Sequence, residues 1–293
     1  MVLDPPVADE VDGLRRALGD TSLGRIPPHL TLVPPVNVPA ASVSGALAVL
    51  RQAAAATPPL RLTLGPVLTF APASPVLYLA VGGDLEGLRS LRDAVFSPPL
   101  ARALTWPWVP HVTVADDAAG ERTEAATAAL DRYAAVAEVD RVVLLEEVDH
   151  RWAPVADADF GGRAMVATGG LALELTAGRL LDPEGWALVH AEAGGSPPFG
   201  RPGWRALVVT ARRERQVVGV ARAWIDDAGG HVAVLVASEA RRQGVGGHLL
   251  AAVESAVIER GWACPVLRAE GPAGFYRRRS AYSRPAYSKA TDE

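Results

Sequence analysis

The chain has 293 residues, 49% hydrophobic and 21% charged, with a net charge of −4. That length accommodates two domains with separate cores, and the mild acidity excludes a global field that would gather nucleic acid or an anionic membrane. No stretch reaches membrane-helix length, and the N-terminus, with Asp4, Asp9 and Glu10, carries no apolar leader, so no signal peptide is expected. All but one of the 29 basic residues are arginines, the exception being Lys289. With the abundant Ala, Gly and Pro, this bias reads as the imprint of a GC-rich bacterial genome rather than as an RNA-binding feature. The single cysteine, Cys264, excludes an internal disulfide and predicts a buried, unreactive thiol in a cytoplasmic setting.

In chain order, the first telling segment is Pro28-His29-Leu30-Thr31-Leu32-Val33. Alternation of polar and apolar residues predicts a half-buried strand with His29 and Thr31 on one face and Leu30 and Leu32 on the other. Helical spacing follows over Val43 to Ala56, closed by Pro58-Pro59. Strands are predicted at Leu60 to Leu64 and Val76 to Val81, then a helix presenting Leu85, Leu88, Leu91 and Val95. The opening segment then returns as Pro110-His111-Val112-Thr113-Val114-Ala115, again with imidazole and hydroxyl on one strand face. A helix over Thr123 to Ala137 and a strand over Asp140 to Glu146 complete the half. Two lobes, each giving one His-Thr pair, predict a cleft with two facing imidazoles. Trp106 and Trp108 precede His111 and are read either as a nucleobase-stacking surface or as core tryptophans. His150, with only Asp149 beside it, reads as a surface residue, and no metal site is expected.

The paired motifs resemble the two-histidine phosphoesterase superfamily, which includes the 2′-5′ RNA ligase-like proteins and cyclic nucleotide phosphodiesterases. The resemblance covers residues 1–156 and implies a bilobal fold with two sheets flanking the cleft. It implies a catalytic set of His29, Thr31, His111 and Thr113. One imidazole would take a proton from the attacking hydroxyl and the other give one to the leaving oxygen, with the threonines on the non-bridging oxygens. RNA or a cyclic nucleotide would be the partner at that cleft.

Asp157 to Arg163 is short, polar and glycine-bearing, which predicts domains over 1–160 and 164–293. Gly194 to Gly200 reads as a surface loop. A hairpin-like pair, Arg205–Arg212 and Gln216–Ile225, comes next. The apolar strand Val232, Val234, Leu235, Val236 then enters the turn Arg241-Arg242-Gln243-Gly244-Val245-Gly246-Gly247-His248. A helix with Leu249, Leu250, Val253 and Val257 on one face follows. The glycines allow a close backbone approach, and amides at a helix N-terminus favour a phosphate anion. A P-loop is excluded because Gly-Lys-Ser/Thr is absent, and a dinucleotide fingerprint because His248 stands where a third glycine is needed.

The sequence R-x-x-G-x-G between strand and helix resembles the acetyl-CoA signature of the GNAT acyltransferases, a mixed sheet with flanking helices. The overall class is thus α/β with α+β character. The resemblance implies an N-acetyltransferase with acetyl-CoA as co-substrate and a small-molecule or protein amine as acceptor. Val234, Leu235 and Val236 would pair with the pantetheine arm, and residues Arg241 to His248 would hold the pyrophosphate. Tyr276, in Phe275-Tyr276, would protonate the departing thiolate. Two positions depart from the family pattern: Ala269 replaces an asparagine, and Ser280-Ala281-Tyr282 replaces a Gly-Phe ending. Pro272 can still open the Tyr276 helix, and Glu270 is not expected to be a base. The polar tail predicts final strands that are short or borrowed from a second copy in a homodimer. Three functional readings stand: two activities in one chain, an acyltransferase with a nucleotide- or RNA-binding module, or a pair of ligand sensors.

Overall fold

The computed structural model describes residues 1–118, 120–168, 171–193, 199–200, 205–227, 229–262 and 267–270. The chain divides into two units, Met1–Val155 and Ala156–Glu293. No helix among the described residues is long and apolar enough to cross a membrane.

In the first unit, α1 (Val7–Leu18) ends at Gly19, whose φ of 69° lets its amide turn back to the Arg16 carbonyl. Next come α2 (Val43–Ala55), β1 (Leu60–Thr69), β2 (Leu77–Gly83), α3 (Leu85–Val95) and β3 (His111–Ala115). They are followed by α4 (Gly120–Ala129), β4 (Ala135–Val139), β5 (Arg141–Val148) and β6 (Arg151–Asp159), the last running across the division between units. An antiparallel sheet has the order β3-β2-β1-β4, and β5-β6 form a second, two-stranded sheet. Leu60, Leu62 and Leu64 alternate inward from β1, meeting Leu77 and Leu79 of β2 and Val112 and Val114 of β3 in the core. On α3, Leu88, Leu91 and Val95 are buried at helical spacing.

Two expectations are corrected here. The helix predicted over Thr123 to Ala137 stops at Ala129, and Ala135–Val139 is a strand pairing with Leu60–Leu64. Its burial alternates, with Ala137 and Val139 inside and Val136 and Glu138 outside, a period-2 signal masked by alanines of high helix propensity. The first His-Thr motif is not a regular strand. A single bridge joins His29 to Val2, with Leu3 N donating to Pro28 O (2.9 Å) and Leu30 N to Met1 O (2.8 Å). Pro27, Pro28, Pro34 and Pro35 bracket the motif and supply no N–H, so the ladder cannot extend. Alternation survives without it: Leu30 and Leu32 are buried while His29 and Thr31 are half-buried.

The second unit holds β7 (Arg163–Thr168), β8 (Leu171–Gly178), α5 (Pro183–Ala193), β9 (Arg205–Arg213), β10 (Gln216–Asp226), β11 (Gly229–Val236), α6 (Val245–Glu259) and β12 (Leu267–Glu270). Its sheet has the order β12-β11-β10-β9-β8-β7, antiparallel throughout except for the parallel β11–β12 pair. Leu249, Leu250, Val253 and Val257 of α6 pack with Leu207, Val209, Ala221 and Val232. Val189 of α5 joins Val208, Val220, Trp224 and Ala233 in a separate cluster, so the neighbouring residues of β9 and β10 are buried on both faces. Asp182 caps α5 by accepting the Gly185 amide at 2.8 Å, with Pro183 in the first turn. Arg212, 2% exposed, ties this end to the sheet through Asp182 (2.6 Å), Glu184 (3.2 Å) and Thr176 (2.9 Å). Asp157, read from sequence as part of a polar linker, instead accepts the Arg179 and Leu180 amides at 2.9 Å.

A bulge between Val217 and Gly219 brings α6 close to the sheet. A Cβ at Gly219 would lie 2.7 Å from Leu249 Cδ1 and 3.0 Å from the Leu235 carbonyl oxygen. Gly219→Ala is therefore expected to destabilise the second unit by about 1–3 kcal/mol through overpacking. Thermal denaturation measures it, and an unchanged melting temperature would mean that α6 can shift at no cost.

Candidate active sites

In the first unit both histidines are held in the same way. His29 Nδ1 lies 2.9 Å from the Pro27 carbonyl oxygen and His111 Nδ1 lies 2.8 Å from that of Val109. A carbonyl only accepts, so each Nδ1 carries the proton and each Nε2 is the lone-pair nitrogen of the neutral ring. The intervening Pro28 and Pro110 fix φ and hold each carbonyl in place. Neither Nε2 bonds to another described residue, nor does either threonine hydroxyl. Opposite each polar face lie Leu30 and Leu32, or Val112 and Val114, all at most 5% exposed. Burial of each such side chain contributes roughly 1.5–3 kcal/mol, which anchors the motifs in the core.

The two copies are also joined. Trp108 Nε1 donates to the Thr31 carbonyl at 2.8 Å. Burial pushes the His29 imidazole down to about 4, against the raising effect of the Pro27 bond, and the charges of the N-terminus, Arg15 and, least of the three, His111 lower it further. His111 is packed edge-on against Phe70 and Tyr78, with centroids at 5.1 and 5.6 Å, and those two rings stack on each other. The cluster fixes the plane of the His111 ring. Trp106 is 70% exposed. His150 is exposed at a positive-φ turn between β5 and β6, where its carbonyl accepts from Arg25.

The His29 shift has a stability consequence. The unfolded histidine takes its proton near pH 6.5 and the folded one near pH 4, so the unfolded chain holds more protons between those values. Stability is then full above about pH 6.5 and is lost as pH falls toward 4, by up to about 3 kcal/mol. Denaturant titrations at intervals across that window should show this loss in the wild type and much less of it in His29→Asn. Parallel acid profiles would remove His29 as the cause.

In the second unit, Val234, Leu235 and Val236 form the end of β11. They pair with Ala221, Val220 and Gly219 of β10, whereas β12 pairs only with Gly230 to Ala233. Among the described residues, the last three positions of β11 therefore have no strand partner on the β12 side. The chain then makes a short 3-10 turn, Ser238–Ala240, and reaches α6 through Gly244, its N-cap, at φ 87°. A Cβ on Gly244 would meet nothing within 4 Å, so open space lies before the helix end.

Not every predicted loop residue faces that space. The Gly247 and His248 amides both donate to the Gly244 carbonyl, at 2.9 and 3.2 Å, because the helix starts at Val245. Among the described residues of this loop, the amides without a backbone acceptor run from Arg242 to Gly246. Arg241 is turned back on the loop, with Nε 3.1 Å from the Val236 carbonyl oxygen and Nη2 2.5 Å from Glu192 Oε2. Gln243 accepts from Arg213 at 3.0 Å and donates to the Glu239 carbonyl at 2.7 Å. Arg242, at φ 63°, is exposed. Tyr276, Phe275, Pro272, Cys264 and Ser280 to Tyr282 lie outside the described residues, as do the side chains of Ala269 and Glu270.

Sequence reasoning missed Glu192. From α5 it accepts the Ser238 amide and hydroxyl, both at 2.9 Å, and pairs with Arg241, bonds that together hold its carboxyl below the usual range. It braces the glycine loop from a helix 46 residues away in sequence, and no local motif marks it. Also missed was a buried pair on β10–β11, His231 Nε2 at 2.9 Å from Asp226 Oδ1, with the imidazole stacked on Trp224.

The two units match two different family models. The chain belongs to the 2′-5′ RNA ligase superfamily, whose family model matches residues 3–151. A second model, for the acetyltransferase (GNAT) domain, matches residues 204–279. A Bacillus licheniformis protein carrying the name phosphoesterase is 31% identical over 133 residues, 45% of this chain and 78% of its own. One from Bacillus pumilus with the same name is 32% identical over 96 residues, 33% of this chain and 56% of its own. A crystal structure of E. coli LigT complexed with 3′-AMP is 16% identical with a TM-score of 0.36, covering 54% of this chain and 94% of that one.

Proposed function

We propose that the first unit cleaves a cyclic phosphate or 2′-5′ ester of a nucleotide or RNA without a metal, and that the second transfers an acetyl group from acetyl-CoA to an amine. The matched clasp of both imidazoles carries the first reading, since it aims two lone-pair nitrogens while the two hydroxyls stay available. Burial holds His29 neutral at pH 7, which suits it as the base for the attacking water or ribose hydroxyl. His111 would act in its imidazolium form, giving its Nε2 proton to the leaving oxygen as the P–O bond breaks. Thr31 and Thr113 would hold the non-bridging oxygens. Incubation with nucleoside 2′,3′-cyclic phosphates in excess chelator tests this, and turnover that required a divalent ion would refute it.

For the second unit, the residues present fit acetyl-CoA. The Gly244–Gly246 amides and open space suit a pyrophosphate, and the end of β11, which no described strand covers on the β12 side, suits the amides of a pantetheine arm. The acceptor amine would attack the thioester carbonyl directly, the C–S bond would break, Tyr276 would protonate the departing sulfur, and the proton lost by the amine nitrogen would pass to solvent, which reprotonates the phenol. Tyr276→Phe should lower kcat and leave acetyl-CoA affinity nearly unchanged, because the phenol acts only as the thiolate forms. Steady-state kinetics beside calorimetry separates the two. If affinity and melting temperature fall together while turnover holds, Tyr276 is a packing residue.

A further inference from the structure

The first motif is anchored by its buried leucines and by the segment Met1 to Leu3 but lacks a strand ladder of its own. Beyond the His29 bridge it leaves regular structure, and its pairing partner is only the segment Met1 to Leu3. Yet two acid–base groups acting on one phosphorus must keep a fixed separation, and His111 sits on a different element, β3. A side-chain hydrogen bond from Trp108 Nε1 to Thr31 O, at 2.8 Å, joins the approach to His111 directly to the first motif, and Arg102 bonds the Pro35 carbonyl beyond it.

Its position is telling at both ends. Thr31 is two residues beyond His29, and its side chain belongs to the proposed site. Trp108 immediately precedes Val109, whose carbonyl clasps the His111 ring. The indole is half-buried, with the Arg92 guanidinium 5.8 Å from its centroid and that same guanidinium 3.7 Å from the centroid of Phe96. A ring so flanked is a fixed strut rather than an open stacking surface. We propose that Trp108 is a positioning residue that sets the separation of His29 and His111, an inference that rests on the two-histidine reading above.

Two measurements on the full chain test it. Trp108→Phe keeps the ring and loses only the N–H. It should lower kcat on a 2′,3′-cyclic nucleotide about ten- to a hundredfold, with KM changed less than about twofold, because misplacement spoils the transition state rather than binding. Arg92→Ala, which removes one flank of the ring but leaves its hydrogen bond, should lower kcat less than Trp108→Phe does. Should the phenylalanine variant not fold, benzothienylalanine at position 108 replaces the N–H by sulfur at the same shape. A raised KM with kcat intact would make Trp108 a binding surface and overturn the proposal.

The second measurement needs no turnover. The His29 ring titration, followed by NMR, should move upward on His111→Ala, because the His111 charge lowers it. That movement should shrink in the Trp108→Phe background if the strut sets the distance. An equal movement in both backgrounds overturns the proposal. Absence of any phosphoesterase activity, with the coupling changed as expected, would instead remove the catalytic reading and leave the strut standing.

Discussion

Alanine at either His29 or His111 is expected to remove on the order of 10²–10⁴ of the phosphoesterase rate, the amount one positioned acid or base supplies. The two losses should not multiply in the double variant, since the pair acts as a unit on one proton transfer sequence. KM should change little, because the threonines and not the imidazoles are proposed to hold the phosphoryl oxygens. The pH profile adds a sign. With His29 held down to about 4, the base is already neutral at mildly acidic pH, so the acid limb of kcat/KM should begin near pH 4 rather than near 6.5. Activity that survives both substitutions would place the chemistry elsewhere.

Replacing Gly244 by valine should lower acetyl-CoA affinity by at least about a hundredfold, for two reasons that add. At φ 87° a β-branched residue is strained by roughly 1–3 kcal/mol, so the loop would relax away from the shape that presents its amides. The branched side chain would also enter the open space where the phosphate must approach. Gly244→Ala brings the strain with less bulk and should fall between. Valine at Gly246, a buried position in the first turn of α6, should obstruct without the φ penalty, and its melting temperature separates overpacking from obstruction. Calorimetric titration with acetyl-CoA reads all three, and undiminished affinity in the Gly246 variant would remove the case for pyrophosphate at this helix end.

Much of this was legible in the residues because it rests on local chemistry. The repeat of Pro-His-aliphatic-Thr exposed both imidazoles, and the alternation of Leu30 and Leu32 against His29 and Thr31 gave the right faces even though the first copy is not a strand. The prolines that broke its ladder were visible, but their second effect was not. Pro28 and Pro110 each place the carbonyl two residues before the histidine against Nδ1, and this depends on backbone geometry. The start of α6 was displaced for a similar reason. Four glycine-rich positions all look permissive, and only the αL conformation of Gly244 decides which amides the helix consumes. Glu192 could not be read at all, and Trp108 was read only as a stacking or core residue, since each acts on a carbonyl, amide or guanidinium far away in sequence.

The end of β11 has a consequence for handling the protein. Val234 to Val236 present one side that no described strand covers, although β12 flanks the start of the same strand. Acetyl-CoA laid along it as proposed would supply the missing bonds, and at a hundred times its dissociation constant would add about 2.7 kcal/mol of stability. Slowed hydrogen exchange at these amides would report the cover directly.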